Sequence, residues 1–197
     1  MRNSSTQWVQ CREAHYVRHF GPLTTPPVLA SCETVPLAVY QFKPHGSRDH
    51  WTLITGGMSD QPQHLPEATP DYVSPRTEIV MYVKEPRKWM FDVLTGLAEL
   101  PFRNRTHLHW WHAIPNGMPM TPEPSLLTNF FFIPPFCESV EFDSLTISGR
   151  KVHFLLLVPI TDSELEHQLK HGSSALFKIF EKNDFNCVVD EQRKAFV

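Results

Sequence analysis

The sequence predicts an α+β fold, a single domain in which a mixed β-sheet is flanked by helices. The length of 197 residues suits one domain, so residues 1–197 are taken as one unit. Strand-like segments occur in runs of three, and helical segments stand before, between and after these runs, an order typical of α+β proteins. The composition, 41% hydrophobic and 20% charged, is that of a globular protein.

The first half of the chain is predicted to begin with a helix and to continue with three strands. Ser4 and Gln7 can form a capping box, apolar residues then recur at helical spacing, and Gly21 ends the helix. Apolar patterns predict strands at residues 36–44, 50–60 and 76–84. The intervening residues 61–75 contain four prolines and no periodicity, which indicates a long loop, here called the proline loop.

The second half is predicted to contain three helices and three further strands. A helix with one apolar stripe is expected from about Pro86. Strands are expected at residues 126–133, 139–147 and 151–160. Thr161 and Glu164 form a capping box that predicts a third helix, with Leu169 facing inward. Gly172 breaks this helical pattern, which then resumes in a fourth helix.

Charge and hydropathy argue against several kinds of partner. The net charge is −3, and no run of basic residues offers the patch that nucleic acids or anionic membranes require. The most apolar window, VHFLLLVPI, is too short to span a bilayer, and the N-terminus lacks the apolar region of a secretion signal. We therefore expect a soluble, cytoplasmic protein that binds neither nucleic acid nor membrane.

The cysteines and one charged segment carry further expectations. The four cysteines are far apart and include no C-x-x-C pair, so reduced thiols are expected. They are Cys11, Cys32, Cys137 and Cys187. The charged side chains within residues 190–194 are expected to form a solvent-exposed, self-paired patch that contributes little to stability.

Residues 107–112, HLHWWH, hold three histidines and two tryptophans in six positions. Converging imidazoles can hold zinc, so a metal-dependent hydrolase using His107, His109 and His112 is the alternative function. The surrounding sequence RTHLHWWHAIP contains no carboxylate, and no H-E-x-x-H motif occurs, which favours core packing or a recognition surface over a metal site. No nucleophile elbow or phosphate-binding loop is present either, so no enzymatic activity is expected.

Five segments follow one another in a recognisable order. They are DHWTLITGGMSD, RTEIVMYV, WMFDVLTGLAELPF, HLHWWHAIPN and FLLLVPITDSELE. In this order, over about residues 33–196, the chain resembles the suppressor-of-fused (SUFU) domain family. The resemblance implies a SUFU-like α+β fold and a protein-binding module that needs no cofactor. In animals, members of the family grip a transcription-factor segment as an added β-strand between two domains.

The chain is more similar to freestanding bacterial members of the family, which are associated with polymorphic toxin systems and are suspected immunity proteins. The resemblance therefore implies sequestration of another protein, such as a toxin domain. The partner is expected to bind near the end of the second strand, the proline loop and the HLHWWH segment. The residues expected to contact it are His50, Trp51, Asp60, Tyr72, Arg76, Trp110 and His112. Trp110 and Trp111 cannot both point inward from a strand, so one of them is expected at the surface.

Overall fold

The computed structural model describes residues 2–32, 34–122 and 124–197. Its helices are α1 (Arg2–Phe20), α2 (Lys88–Arg103), α3 (Asp162–His171) and α4 (Ser173–Lys182). Each of them coincides with a helix that the sequence predicts. The capping box expected at Ser4 falls on a side chain outside the described residues. Among the described helices, none is both long and apolar enough to cross a membrane.

The strands form one large sheet and one small hairpin. The large sheet contains β1 (Val28–Leu29), β2 (Ala38–Phe42), β3 (Trp51–Gly56), β4 (Thr77–Val83), β5 (Ala113–Pro115), β6 (Leu127–Ile133), β9 (His153–Thr161) and β10 (Val188–Val189). The hairpin contains β7 (Thr146–Ile147) and β8 (Arg150–Lys151). The order across the sheet is β1-β2-β3-β4-β9-β6-β5, with β10 beside β4. Since β4 pairs in parallel with β9 and β10 and antiparallel with β3, the sheet is mixed, and the predicted α+β fold is confirmed.

Helices cover both faces of the sheet, as the central strand β4 illustrates. Ile79, Met81 and Val83 face one side of the sheet and Val80 and Tyr82 face the other, because successive residues of a strand alternate. The first set packs with α2, and the second set packs with α1 and α4. Every residue of β4 is buried, as expected for a strand with a covered face on each side.

The strand predicted at residues 139–147 is wrong. This segment contains a 3-10 turn at Phe142–Ser144 and the two residues of β7, which do not join the large sheet. Phe142, Leu145 and Ile147 are buried nonetheless, and Phe142 stacks on Phe154 with ring centroids 4.3 Å apart, whereas Val140 is exposed. The apolar pattern therefore reflects packing on the core rather than strand pairing. Leu169, expected to face inward from α3, is exposed.

The expectation of reduced thiols is wrong for two of the four cysteines. Cys137 and Cys187 are paired in a disulfide, although they lie 50 positions apart in the sequence, and Cys11 and Cys32 are free. Sequence spacing gives no sign of this pair because the sheet brings the two cysteines together. Val188 of β10 pairs with Tyr82, whose hydroxyl donates a hydrogen bond to Glu138, the neighbour of Cys137.

The expectation of a solvent-exposed charge patch is wrong for Arg193. Its guanidinium donates hydrogen bonds of 2.6 and 2.7 Å to the two carboxylate oxygens of Glu164, which is fully buried. Glu164 also completes the predicted capping box with Thr161 at the start of α3. Burial raises the pKa of Glu164, but the hydrogen bonds and charge of Arg193 outweigh it, so that the pKa is lowered. The C-terminal segment is thus fixed to α3.

A second buried charge network begins at Glu78 on β4, which is also fully buried. Its carboxylate accepts hydrogen bonds from the hydroxyls of Thr55 (2.7 Å) and Ser59 (2.6 Å). It also accepts hydrogen bonds from the backbone N–H groups of Gly57 (3.1 Å) and Ser59 (3.0 Å). Because these donors lie at the end of β3, at Gly57 and in the 3-10 turn Met58–Asp60, one carboxylate fixes this turn against β4.

The cation of this network is Arg12 of α1, which is 2% exposed. Its Nη1 lies 3.6 Å from Glu78 Oε1 and forms an ion pair with Asp60. Burial lowers the pKa of Arg12, but the negative charges of Glu78 and Asp60 outweigh burial, and the pKa is raised. The Tyr16 hydroxyl adds a 2.7 Å hydrogen bond to the Thr55 carbonyl. These contacts join α1 to the connection between β3 and β4.

Replacing Arg12 by Met is expected to lower the free energy of unfolding by about 3–5 kcal/mol, because the buried Glu78 loses its cation. Urea unfolding followed by circular dichroism measures this change. The matched control is Lys88→Met, which removes an exposed pair with Asp92 and should change stability by less than about 0.5 kcal/mol. Equal effects of the two substitutions would contradict a stabilising role for the buried network.

Candidate functional site

The proline loop is held against the HLHWWH segment by one buried side chain, Gln63. The N–H of Gln63 donates to the Pro75 carbonyl at 2.7 Å and so closes the base of the loop. Its side-chain Nε2 donates to Thr77 Oγ1 at 2.5 Å, and its Oε1 accepts a 2.6 Å hydrogen bond from the N–H of Leu108. A single glutamine therefore connects the loop, β4 and the histidine-rich segment.

Between the loop and this segment lies a cleft of about 410 Å³, here called the aromatic cleft. The proline loop forms one wall and residues 107–112 form the other. The lining residues are Pro66, Ala68, Thr69, Pro70, Tyr72, Val73, His107, His109, Trp110, Trp111 and His112. Tyr72 is 74% exposed and Trp111 is 39% exposed, so both present aromatic surface to solvent. Among the described residues that line the cleft, none carries a lysine, arginine or carboxylate side chain.

The two adjacent tryptophans have different surroundings. Trp110 stacks on His153 with centroids 4.6 Å apart, and its Nε1 donates to the Phe154 carbonyl at 2.8 Å. Trp111 has a φ of 73°, in the left-handed region that bulky residues rarely adopt. Its N–H donates to the Phe132 carbonyl at 2.6 Å, which ties the segment to β6. Of the two rings, that of Trp111 is therefore the better placed to meet a partner.

The exposed ring of Trp111 is part of a longer row of aromatic side chains. It packs edge-to-face on Phe177 of α4, with centroids 5.5 Å apart. Phe177 in turn contacts Phe136, which is half exposed, at 5.6 Å. Sequence reasoning missed both phenylalanines because they lie in segments distant along the chain. The adjacent tryptophans were the signal available in the sequence, and they do not indicate which ring faces outward.

The histidines of the cleft form two separate pairs. His109 Nε2 lies 3.0 Å from Nδ1 of His153, a residue of β9, and the rings of His107 and His112 are 4.9 Å apart. The three imidazoles of the metal hypothesis therefore do not converge on one point. Among the described residues, no group of three or more His, Cys, Asp or Glu side chains is arranged to hold a metal ion.

Burial lowers the pKa of all four imidazoles. It takes the pKa of His109 and of His153 to about 4 and moves those of His107 and His112 below the ordinary value. Near neutral pH these rings are consequently uncharged. Because these histidines are uncharged and the other described lining residues carry no ionic group, the described part of the cleft presents a polar but neutral aromatic surface.

The other residues expected to contact a partner lie in two different places. Asp60 pairs with Arg12, and Arg76 is buried, with its guanidinium 4.7 Å from the Trp8 ring and a 2.5 Å hydrogen bond to the Ser59 carbonyl. These two charged residues therefore fix the 3-10 turn between β3 and β4.

His50 and Trp51 lie at the opposite end of β3, where Trp51 is paired with Val83. Trp51 is half-buried and packs on the core beneath α2, while the His50 ring contacts Tyr82 at 5.2 Å. The structure therefore brings together Tyr72, Trp110 and His112 among the expected contact residues, and it separates them from His50 and Trp51.

Replacing Gln63 by Met is expected to lower the free energy of unfolding by about 1–3 kcal/mol, because the buried N–H of Leu108 loses its acceptor. Urea unfolding measures this change. Gln61→Met is the matched control: within the described part of the chain Gln61 makes one hydrogen bond, an exposed one of 3.2 Å, and its loss should change stability by less than about 0.5 kcal/mol. A Gln63 variant as stable as this control would argue against the role of Gln63 in connecting the proline loop to the histidine-rich segment.

Lowering the pH from 7 to 4.5 is expected to reduce the free energy of unfolding by about 2 kcal/mol or more. Burial holds the pKa of His15, His109 and His153 at about 4, so the unfolded chain takes up protons first as the pH falls below the ordinary histidine pKa. Thermal melts at several pH values measure the effect. The same decrease in the free energy of unfolding should persist in a His171→Asn variant, because His171 is exposed on α3. Stability that is constant over this range would contradict the burial of neutral imidazoles.

Comparison with known proteins identifies the family of this fold. The family model described as suppressor of fused protein (SUFU) matches residues 33–194. One curated relative is Immunity protein YqcF from Bacillus subtilis (strain 168), which is 28% identical over 82 residues. The match spans 42% of this chain and 42% of that relative, so it covers less than half of either protein.

Solved structures share the fold at low sequence identity. A SUFU homologue from Neisseria gonorrhoeae FA 1090 has a TM-score of 0.72 at 14% identity, covering 100% of this chain and 98% of that one. A chain in the crystal structure of the Sufu–Fu complex has a TM-score of 0.70 at 12% identity, and the match covers 96% of this chain and 92% of that one. Drosophila Suppressor of Fused has a TM-score of 0.70 at 14% identity, and the match covers 96% of this chain and 51% of that one. The family match and the shared fold show that this chain belongs to the suppressor of fused protein family.

Proposed function

We propose that this chain is a non-enzymatic binding module that sequesters another protein, and that its partner is a toxin domain which it neutralises. The relative from Bacillus subtilis that bears the name of an immunity protein supports the toxin partner. The Sufu–Fu complex supports partner binding, because it is a complex of a protein with this fold. We place this role in the cytoplasm, where an immunity protein would meet the toxin that threatens its own cell.

The observation that carries the proposal is the exposure of Tyr72 and Trp111 in one cleft. Aromatic side chains supply large contact area with little conformational entropy to lose, and they dominate the energetics of protein interfaces. The row of Trp111, Phe177 and Phe136 extends this surface beyond the cleft. The adjoining β5 lies at the end of the sheet order, so a partner strand can add beside it.

The chemistry of the cleft suits recognition better than catalysis. His109 and His153 are hydrogen-bonded to each other and are held neutral, and the Trp110 indole donates to a backbone carbonyl. A catalytic base would need an imidazole poised beside a nucleophile, whereas the His109 ring is engaged by His153, and the described lining residues include neither a cysteine nor a carboxylate. These contacts support a rigid, neutral docking surface.

The proposal is tested first by identifying the partner and then by a growth assay. Tagged protein is used to capture binding proteins from lysate of the native host at low and at moderate salt, and mass spectrometry identifies them. The C-terminal domain of a captured protein is then expressed in a test bacterium with and without this chain. The expected result is growth arrest that co-expression relieves. A captured domain that is harmless on expression, or whose toxicity persists with this chain present, would contradict the toxin role.

Tyr72→Ala and Trp111→Ala are each expected to weaken binding of that partner by about 2 kcal/mol, which is roughly 30-fold in Kd, because an exposed aromatic anchor is lost. Isothermal titration calorimetry measures the Kd. The matched control is Leu29→Ala, which truncates an apolar side chain 80% exposed on β1, at the far end of the sheet from β5. If the control weakens binding and the two cleft variants do not, the partner binds elsewhere on the fold.

A further inference from the structure

A second cleft, about 560 Å³ in volume, contains the disulfide and lies at the end of the sheet where β3 begins. Both cysteines line it, together with His50, Lys84 and residues of the turn that follows α4. Cys137 is exposed and Cys187 is half-buried, and both residues border the cleft. We call it the disulfide cleft.

We propose that Cys137 and Cys187 form a reversible redox site, which exchanges disulfide bonds with low-molecular-weight thiols that enter the disulfide cleft. Structural disulfides typically resist reduction by glutathione, whereas exposed ones are often labile or regulatory. In a reducing cytoplasm, the disulfides that do occur are usually transient and redox-active. The inference rests on the cytoplasmic location of the proposed function, but it does not depend on the aromatic cleft or its partner.

The exchange begins when the thiolate of a small thiol attacks Sγ of the exposed Cys137. A mixed disulfide forms at Cys137, the Cys137–Cys187 bond breaks, and Cys187 leaves as a thiolate. A second small thiol attacks the mixed disulfide and releases the small-molecule disulfide. Two thiols are thereby oxidised and the protein disulfide is reduced to two thiols, with the two protons taken up by the cysteines. Oxidation of the protein is the reverse of these steps.

The cleft contains a group suited to the charge that develops in this reaction. Lys84 lines the same cleft as both cysteines. An ammonium group that comes close to a leaving thiolate stabilises it. The lining also includes two carboxylates, Asp184 and Asp49, and the Asp49 oxygen lies 3.0 Å from His50 Nδ1 and is thereby engaged by the imidazole. We assign Lys84 the role of a positioning residue for the thiolate.

Both cysteines are held in place by contacts that do not depend on the disulfide. Beside Cys137, the Glu138 carboxylate accepts two 2.8 Å hydrogen bonds from Arg48 and one of 2.7 Å from the Tyr82 hydroxyl. Beside Cys187, Val188 is paired with Tyr82 in the sheet. Because both backbones are anchored around the same tyrosine, the two thiols stay close after reduction, and the bond can form again without refolding.

A count of accessible thiols on the folded protein tests the proposal. The protein is equilibrated in mixtures of reduced and oxidised glutathione, its thiols are trapped with an alkylating reagent, and peptides are identified by mass spectrometry. Cys137 and Cys187 are expected to become alkylated together under reducing conditions and to be protected again on reoxidation, while the circular dichroism spectrum is retained. Alkylation of both cysteines in every mixture would overturn the proposal, and so would a disulfide that opens only when the chain unfolds.

The rate of reduction by glutathione tests the role of Lys84. Lys84→Met is expected to slow the reaction about threefold, because a cation near the leaving thiolate is lost. The control is Lys170→Met, which removes an exposed lysine of α3 outside the disulfide cleft and should leave the rate unchanged. Equal rates for the two variants would overturn the assignment of Lys84 to this site.

Discussion

The carboxylate of Glu78 is the constraint around which this structure is arranged. A charged group buried in a sheet is tolerated only when its hydrogen-bonding capacity is filled and a cation lies close by. Here the end of β3 and the turn after it supply the donors, and Arg12 of α1 supplies the cation. Helix α1, both central strands and the turn between them therefore have one relative arrangement in which this charge is satisfied.

This arrangement is transmitted to the aromatic cleft by a short series of hydrogen bonds. Ser59 donates to Glu78 and accepts from Arg76, which sits where the proline loop returns to β4. Gln63 then joins the start of the loop to Thr77 and to Leu108 of the histidine-rich segment. A loop with four prolines and few backbone hydrogen bonds is consequently held over a fixed wall, and its Tyr72 is presented to solvent. A preorganised surface of this kind loses less entropy when a partner binds.

Local sequence patterns were sufficient for elements that depend on their own residues. The apolar run of β4 and the capping box at Thr161 define their elements wherever the rest of the chain lies.

Features that depend on contacts between distant segments could not be predicted. Nothing near Arg193 or Cys187 indicates that β10 carries them to Glu164 and Cys137, and the alternation at 139–147 resembles a strand because Phe142 must be buried under the sheet. The tryptophan pair indicated an aromatic surface but not that a left-handed backbone turns Trp111 outward.

Native-state hydrogen exchange at the Gly57 and Ser59 amides tests the central role of Glu78 most directly. Both N–H groups donate to the buried carboxylate, so they can exchange only when that contact opens. If Glu78 holds α1, the turn and the central strands as one unit, both amides should exchange with the free energy of global unfolding measured for the core of β4. Exchange at a much lower free energy, with β4 still protected, would show that the turn opens independently and would contradict this role.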